Sequence, residues 1–208
     1  MSKLSKHATT LPVAVQISPA HVHLTEAAIE ELFCDKYRLH EHSRAGQPTQ
    51  YVARESVTLV GPGGSLSDVP VIGPPRGENQ IEVSETEGRR LGIEAPLRRS
   101  GDLHATPGIF IEGPRTRVSL AGGVIRSLHH VHMPPHDAAR LGVADQDRVD
   151  VARGPRSRRM LLRDVLVKVS DDYRLELHLD IDEGARTGLR TGDQVVLRKH
   201  KPHRAPAG

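Results

Sequence analysis

The tripeptide His-Val-His occurs twice in this chain, at residues 21–23 and 130–132, and each copy runs into a short polar turn and a segment with helical spacing, TEAAIEELF in one case and PPHDAARLG in the other. The two copies align at an offset of 109 residues. A second alignment, at an offset of 96, pairs Asp68-Val69-Pro70-Val71 with Asp164-Val165-Leu166-Val167, then Ile81-Glu82-Val83 with Leu177-His178-Leu179, then Gly88 with Gly184 and Gly92 with Gly188. The difference between the offsets is absorbed in the first half, around RLHEHSRAGQP. One order of features that occurs twice constrains the fold strongly: it predicts two similar small units related by a pseudo-two-fold axis, with equivalent positions meeting near that axis.

The class of those units follows from short runs rich in Val, Ile and Leu and punctuated by Gly and Pro: PVAVQI, SVTLVGPGG, DVPVIGP, QIEVS, GIFIEGP, RVSLAGG, RVDVARG, DVLVKV, RLELHLDI and DQVVLRK. Runs of this length and spacing predict a mainly β protein, a sandwich or barrel architecture, which the duplication turns into two similar small barrels. Short helices fit only at TEAAIEELF, ETEGRRLG, PPHDAARLG and DEGARTGL, as caps on the barrels. The first half is placed at residues 12–115 and the second at residues 116–198, with exchange of strands between them left open. GPGGSLSD, from Gly61, lacks the GK[ST] ending of a phosphate-binding loop and reads as a hairpin turn.

Composition narrows the function. The chain has no Trp, three Tyr and two Phe among 208 residues, so its core is aliphatic and it lacks the aromatic platform on which single-stranded nucleic acids stack. Its 29 Lys and Arg against 26 Asp and Glu are scattered rather than striped, which argues against nucleic acid and suits a small anionic substrate. Cys34 is the only cysteine; it excludes an internal disulfide and reads as a small core residue. The N-terminal apolar run LPVAV is too short for a signal peptide and no segment approaches membrane-spanning length, so the expectation is a cytoplasmic protein without a membrane partner.

The duplication also nominates a site. Repeat-equivalent positions bring together His21, His23, Glu82, His130, His132 and His178. On an extended strand residues i and i+2 face the same side, so both imidazoles of a His-Val-His can reach one ion. Zn²⁺ suits such nitrogen and oxygen donors, and six ligands suffice for two ions with open positions. A lone His-x-His carries little weight in a chain with 13 histidines. His40 and His42 in RLHEHS are therefore read as an accident in a loop, and His7, His104 and the histidines of HKPHR as solvated. His178 in place of Glu82, inside a strand of alternating apolar residues, makes poor structural sense without a metal.

AVQISPAHVHLT, ESVTLVGP, VIGPPRGENQIEVSETEGRRLGI, RRSGDLHATPGIFIEGP, GGVIRSLHHVHMPPHDAARLGV and LELHLDIDEGA occur in this order. Together they resemble the PduL-type phosphate acyltransferases, or phosphate propanoyltransferases, from about residue 12 to 195. The resemblance implies two β-barrels capped by short helices, a dinuclear zinc centre between them, and reversible acyl transfer between coenzyme A and phosphate. It implies one zinc at His21 and His23, the other at Glu82, His130, His132 and His178, and an active-site arginine at Arg76 of the GPxR motif. It leaves open a homo-oligomer and a place in the lumen of a bacterial microcompartment. Some relatives carry an amphipathic N-terminal targeting extension, for which MSKLSKHATT is too short and polar. Ala20 stands where the family usually has a basic residue before the first His-Val-His.

The chemistry asks little of a general base, because phosphate is its own nucleophile and needs positioning more than deprotonation. Arg76 offers a planar fork for two phosphate oxygens, and direct attack on the thioester of a propanoyl- or acetyl-CoA needs no acyl-enzyme. Two other readings of the same residues are a zinc-dependent hydrolase, in which a metal-bound water attacks, and a non-catalytic zinc-stabilised double barrel, for which Arg76 would have no use.

Overall fold

A computed structural model of the chain describes residues 10–200 apart from Ala45 and Arg158. Most of the MSKLSKHATT stretch and residues 201–208 lie outside the described residues. In chain order the first elements are β1 (Thr10–Ser18), β2 (His21–His23), α1 (Glu26–Leu32), β3 (Glu41–Arg44), β4 (Tyr51–Gly61), β5 (Gly64–Gly73), β6 (Gln80–Glu82) and α2 (Glu85–Leu91). Then come β7 (Leu97–Arg98), β8 (Ile109–Glu112), β9 (Arg117–Leu120), β10 (Val124–Ser127) and β11 (His130–Met133). The chain continues through α3 (Pro135–Leu141), β12 (Arg148–Ala152), β13 (Met160–Val169), β14 (Glu176–Asp180), α4 (Ile181–Thr187) and β15 (Gln194–Lys199). The protein is mainly β, as the punctuated runs predict, and its four described helices fall on the four expected segments.

The described chain forms two compact units. One is drawn from residues 10–16, 129–179 and 187–200, and its strands close into a six-stranded barrel in the order β1-β14-β11-β13-β12-β15. Closure falls to the first and last strands, β1 and β15, which pair antiparallel from Thr10 with Arg198 to Ala14 with Gln194. Leu11, Val13 and Val15 alternate inward on β1 and are at most 2% exposed, which is the period-two burial of a strand with one buried face. Helix α3 starts with Pro135 at its first turn, where the missing N–H costs nothing, and ends on Gly142 in the left-handed conformation.

The other unit holds residues 17–128 and 180–186. Its sheet is open and curled into a half-barrel, ordered β7-β10-β6-β2-β5-β4-β8-β9, with β3 paired to β4. β4 and β5 form the hairpin expected at GPGG, with Gly61 opposite Gly64. The C-cap of α2 rests on that turn. Gly92 is left-handed with φ of 70°, and a Cβ there would lie 2.5 Å from the Gly63 backbone nitrogen; only glycine meets both demands. At its N-terminus α2 carries a reciprocal capping box of Ser84 and Glu87, and the Glu87 carboxylate also accepts the N–H of Ala20 at 2.8 Å.

Two expectations are corrected. The EHSR segment is strand β3 and not a loop; all four residues are exposed, so no apolar alternation marks it. Cys34 is exposed and not a core residue, because α1 buries Ala28, Ile29 and Leu32 and ends before it.

Candidate metal sites

In the open sheet, β2 runs antiparallel to β6, with His21 opposite Glu82, Val22 opposite Ile81 and His23 opposite Gln80, and parallel to β5, with Val22 beside Val71. In the barrel, β11 runs antiparallel to β14, with His130 opposite His178, Val131 opposite Leu177 and His132 opposite Glu176, and parallel to β13, with Val131 beside Val167. The two registers are the same, residue for residue, under the offsets read from the sequence. The central valines are fully buried, so the histidines that flank each of them present their rings on the opposite face of the strand.

Two groups of ligand atoms result, each with members within 4.8 Å of one another: His21, His23 and Glu82 in the open sheet, and His130, His132 and His178 in the barrel. The resemblance assigns Glu82 to the ion of the second histidine pair; within its own unit its carboxylate faces the first. Glu82 Oε2 is 3.7 Å from His21 Nε2 and Oε1 is 3.8 Å from His23 Nε2. Ligands on a tetrahedral ion with bonds of about 2.1 Å sit about 3.4 Å apart, so an ion fits this group with little movement.

The supports around Glu82 are set in advance. His21 Nδ1 lies 2.9 Å from the Pro19 carbonyl oxygen, which can only accept, so Nδ1 carries the hydrogen and Nε2 keeps its lone pair. Gln80, 3% exposed, donates from Nε2 to Glu82 Oε1 at 2.6 Å and to Ser100 Oγ at 2.9 Å, while its Oε1 accepts the Gly101 N–H at 2.7 Å. That last bond fixes which end of the amide is which, and such outer partners orient a ligand for its ion.

In the barrel, the rings of His130 and His178 stack at 5.1 Å, and His132 lies 4.8 Å from the first and 4.5 Å from the second. Tyr173 stacks on His132 at 4.0 Å, and Glu176 Oε2 sits 3.1 Å from His178 Nε2. Three imidazoles, or two imidazoles and a carboxylate, are the donor sets that hold a divalent ion while keeping a position open. Each group has two members under 9% exposed or one such member beside partly buried partners, so an ion there would be largely screened from water.

Arg76 lies in the loop between β5 and β6. Its N–H donates to the Leu24 carbonyl at 2.8 Å, which ties the loop to the residue after His23. His40 belongs to neither group of ligands. Its Nδ1 lies 2.7 Å from Glu55 Oε1, which also accepts the Tyr37 hydroxyl at 2.9 Å. His42 is exposed on β3. Gln80, Ser100, Tyr173 and Glu176 escaped the sequence reading. The signal was present for two of them, since the offset of 96 that joins Glu82 to His178 also joins Gln80 to Glu176.

This is a mainly β protein with duplicated, metal-capable histidine ladders, and comparison with known proteins gives the class. A family model described as phosphate propanoyltransferase matches residues 14–190. The chain is 44% identical to the phosphate propanoyltransferase of Thermotoga maritima over 89% of its own length and 88% of that protein. It is 41% identical to the one from Citrobacter koseri, over 93% and 91% of the two chains, and 43% identical to the one from Klebsiella pneumoniae, over 92% and 90%. The chain belongs to the phosphate propanoyltransferase family and is an enzyme, an acyltransferase, which sets aside the non-catalytic double barrel. No described helix is long and apolar enough to cross a membrane.

Proposed function

We propose that the protein transfers a propanoyl or acetyl group reversibly between coenzyme A and inorganic phosphate, with one Zn²⁺ at each histidine ladder. The observation that carries this reading is the pair of metal-capable groups in a chain matched almost end to end by the family. A phosphate oxygen attacks the thioester carbonyl carbon; the new carbon–oxygen bond makes the acyl phosphate, and the carbon–sulfur bond breaks to leave the coenzyme A thiolate. No acyl-enzyme forms, in keeping with the position of Cys34, the only thiol, outside both groups. A divalent ion supplies Lewis acidity for a phosphate oxygen or a thioester carbonyl. Arg76 supplies a two-pronged grip on phosphate, and Gln80 holds Glu82 in its place.

A zinc hydrolase differs in its nucleophile. The deciding assay is release of coenzyme A from propanoyl- or acetyl-CoA with phosphate varied. Release that requires phosphate and stops with a chelator is the expected result; release at the same rate without phosphate would replace transfer by hydrolysis.

A further inference from the structure

We infer that Glu176 is a positioning residue for the barrel ladder: it accepts the Nε2 hydrogen of His178 and so leaves Nδ1 as the nitrogen with a lone pair for an ion shared with His130 and His132. A carboxylate oxygen 3.1 Å from Nε2 can only accept, so a neutral His178 carries its hydrogen there. Position supports the same role. Glu176 and His178 are two apart on β14 and share a face, and Glu176 stands directly opposite His132. Gln80 occupies the matching place, two before Glu82 on β6 and directly opposite His23, and it holds that ligand by a hydrogen bond.

The two supports differ as their ligands require. Glu82 is an acceptor, and the amide of Gln80 donates to it; His178 has a ring N–H to give, and the carboxylate of Glu176 takes it. The exchange of Glu82 for His178 is thus matched by the exchange of Gln80 for Glu176, and each ladder keeps one carboxylate. An imidazole whose far nitrogen bonds a carboxylate is a better electron donor to an ion.

The assignment rests on the metal reading above, and the test separates the two. Full-length wild type, Glu176→Ala, Glu176→Gln and, as a matched control in the other ladder, Gln80→Ala are loaded with Zn²⁺, and metal retention is followed against a competing chelator. The tautomer of His178 is read by ¹⁵N NMR of the metal-free proteins. Wild type should show Nε2–H at His178 and hold two ions. Glu176→Ala should lose that tautomer and bind one ion about 10- to 100-fold more weakly, with the other unchanged. Glu176→Gln, whose Oε1 still accepts, should keep the tautomer and recover part of the affinity. Gln80→Ala should leave the His178 tautomer alone. If wild type takes up no ion, the metal reading falls and this assignment with it. If wild type holds two ions and Glu176→Ala holds both as tightly, with the His178 tautomer unchanged, only the role of Glu176 falls.

Discussion

The open sheet and the closed barrel build the same three-strand ladder and dress it differently. Both place a His-Val-His strand between a parallel and an antiparallel neighbour, with equivalent positions opposite one another. The helices agree as well: α1 and α3 span equivalent residues at the offset of 109, and α2 and α4 at the offset of 96. The loops between the last two ladder strands, residues 74–79 and 170–175, are equally long but not alike. One carries Arg76, tied through its backbone to Leu24; the other carries exposed Asp172 at the equivalent position and Tyr173 stacked on His132. The difference teaches that the ladders and their helices are the duplicated parts, whereas the loops between the last two ladder strands are free to diverge.

Breaking either ladder at a ligand should have the largest effect. His130→Ala or His178→Ala should abolish acyl transfer and cost one zinc per chain by elemental analysis, and His23→Ala should do the same for the other ion. His40→Ala should leave turnover near wild type, because its ring serves Glu55. A His40 variant as damaged as His130→Ala would mean that the reaction depends on His40 and not on the two ladders alone.

The loops come next. Arg76→Ala should lose most of the phosphate-dependent rate, on the order of tenfold to a hundredfold, given about 1.5–3 kcal/mol for a hydrogen bond to a charged group. Arg76→Lys should not restore it, since a point charge does not replace the fork. Zinc content should stay unchanged in both. Asp172→Ala, the equivalent change in the barrel, should alter neither rate nor phosphate dependence. Equal losses from the two variants would mean that both loops meet substrate and that the asymmetry is false.

The smallest effect concerns stability of the open sheet alone. Burial would raise the Glu55 pKa, but hydrogen bonds from His40 and Tyr37 outweigh it and hold the carboxyl below its ordinary value. A depressed folded-state pKa contributes stability that is full above the unfolded value, about 4.3, and is lost as pH falls through the folded-state value. Glu55→Gln should therefore lower the melting temperature at pH 6 and narrow the gap to wild type at pH 3. A constant gap across that range would remove Glu55 from the acid response.

Much of this was legible because local signals agreed with the final pairing. The short β-branched runs, the GPGG turn and the four helical segments are each set by a few neighbouring residues. The six positions of the two histidine-rich groups were nominated for a different reason: the repeat made distant residues comparable. What escaped depends on partners far along the chain. Nothing in PVAVQI says that β1 closes a barrel with β14 and β15. β3 has no buried face, β7 spans only Leu97–Arg98, and VIRS of β10 has no alternation. Glu176 gains its place opposite His132 only through the pairing of β14 with β11.

The hairpins beside these ladders share a matched pair of bulges. Between Val57–Val69 and Leu59–Leu66 the hairpin of β4 and β5 carries an extra residue, and between Val149–Val165 and Val151–Leu162 so does that of β12 and β13. Each bulge contains an aspartate with positive φ, Asp68 at 55° and Asp164 at 61°, a backbone region that aspartate tolerates better than most side chains. A slip of one residue in any of these strands would send alternate side chains to the wrong face. The same slip in β2 or β11 would put Val22 or Val131 on the face where the histidines now stand. A divalent ion bound at these groups would therefore act as a proofreader of strand pairing, rewarding only the molecules whose strands have counted correctly.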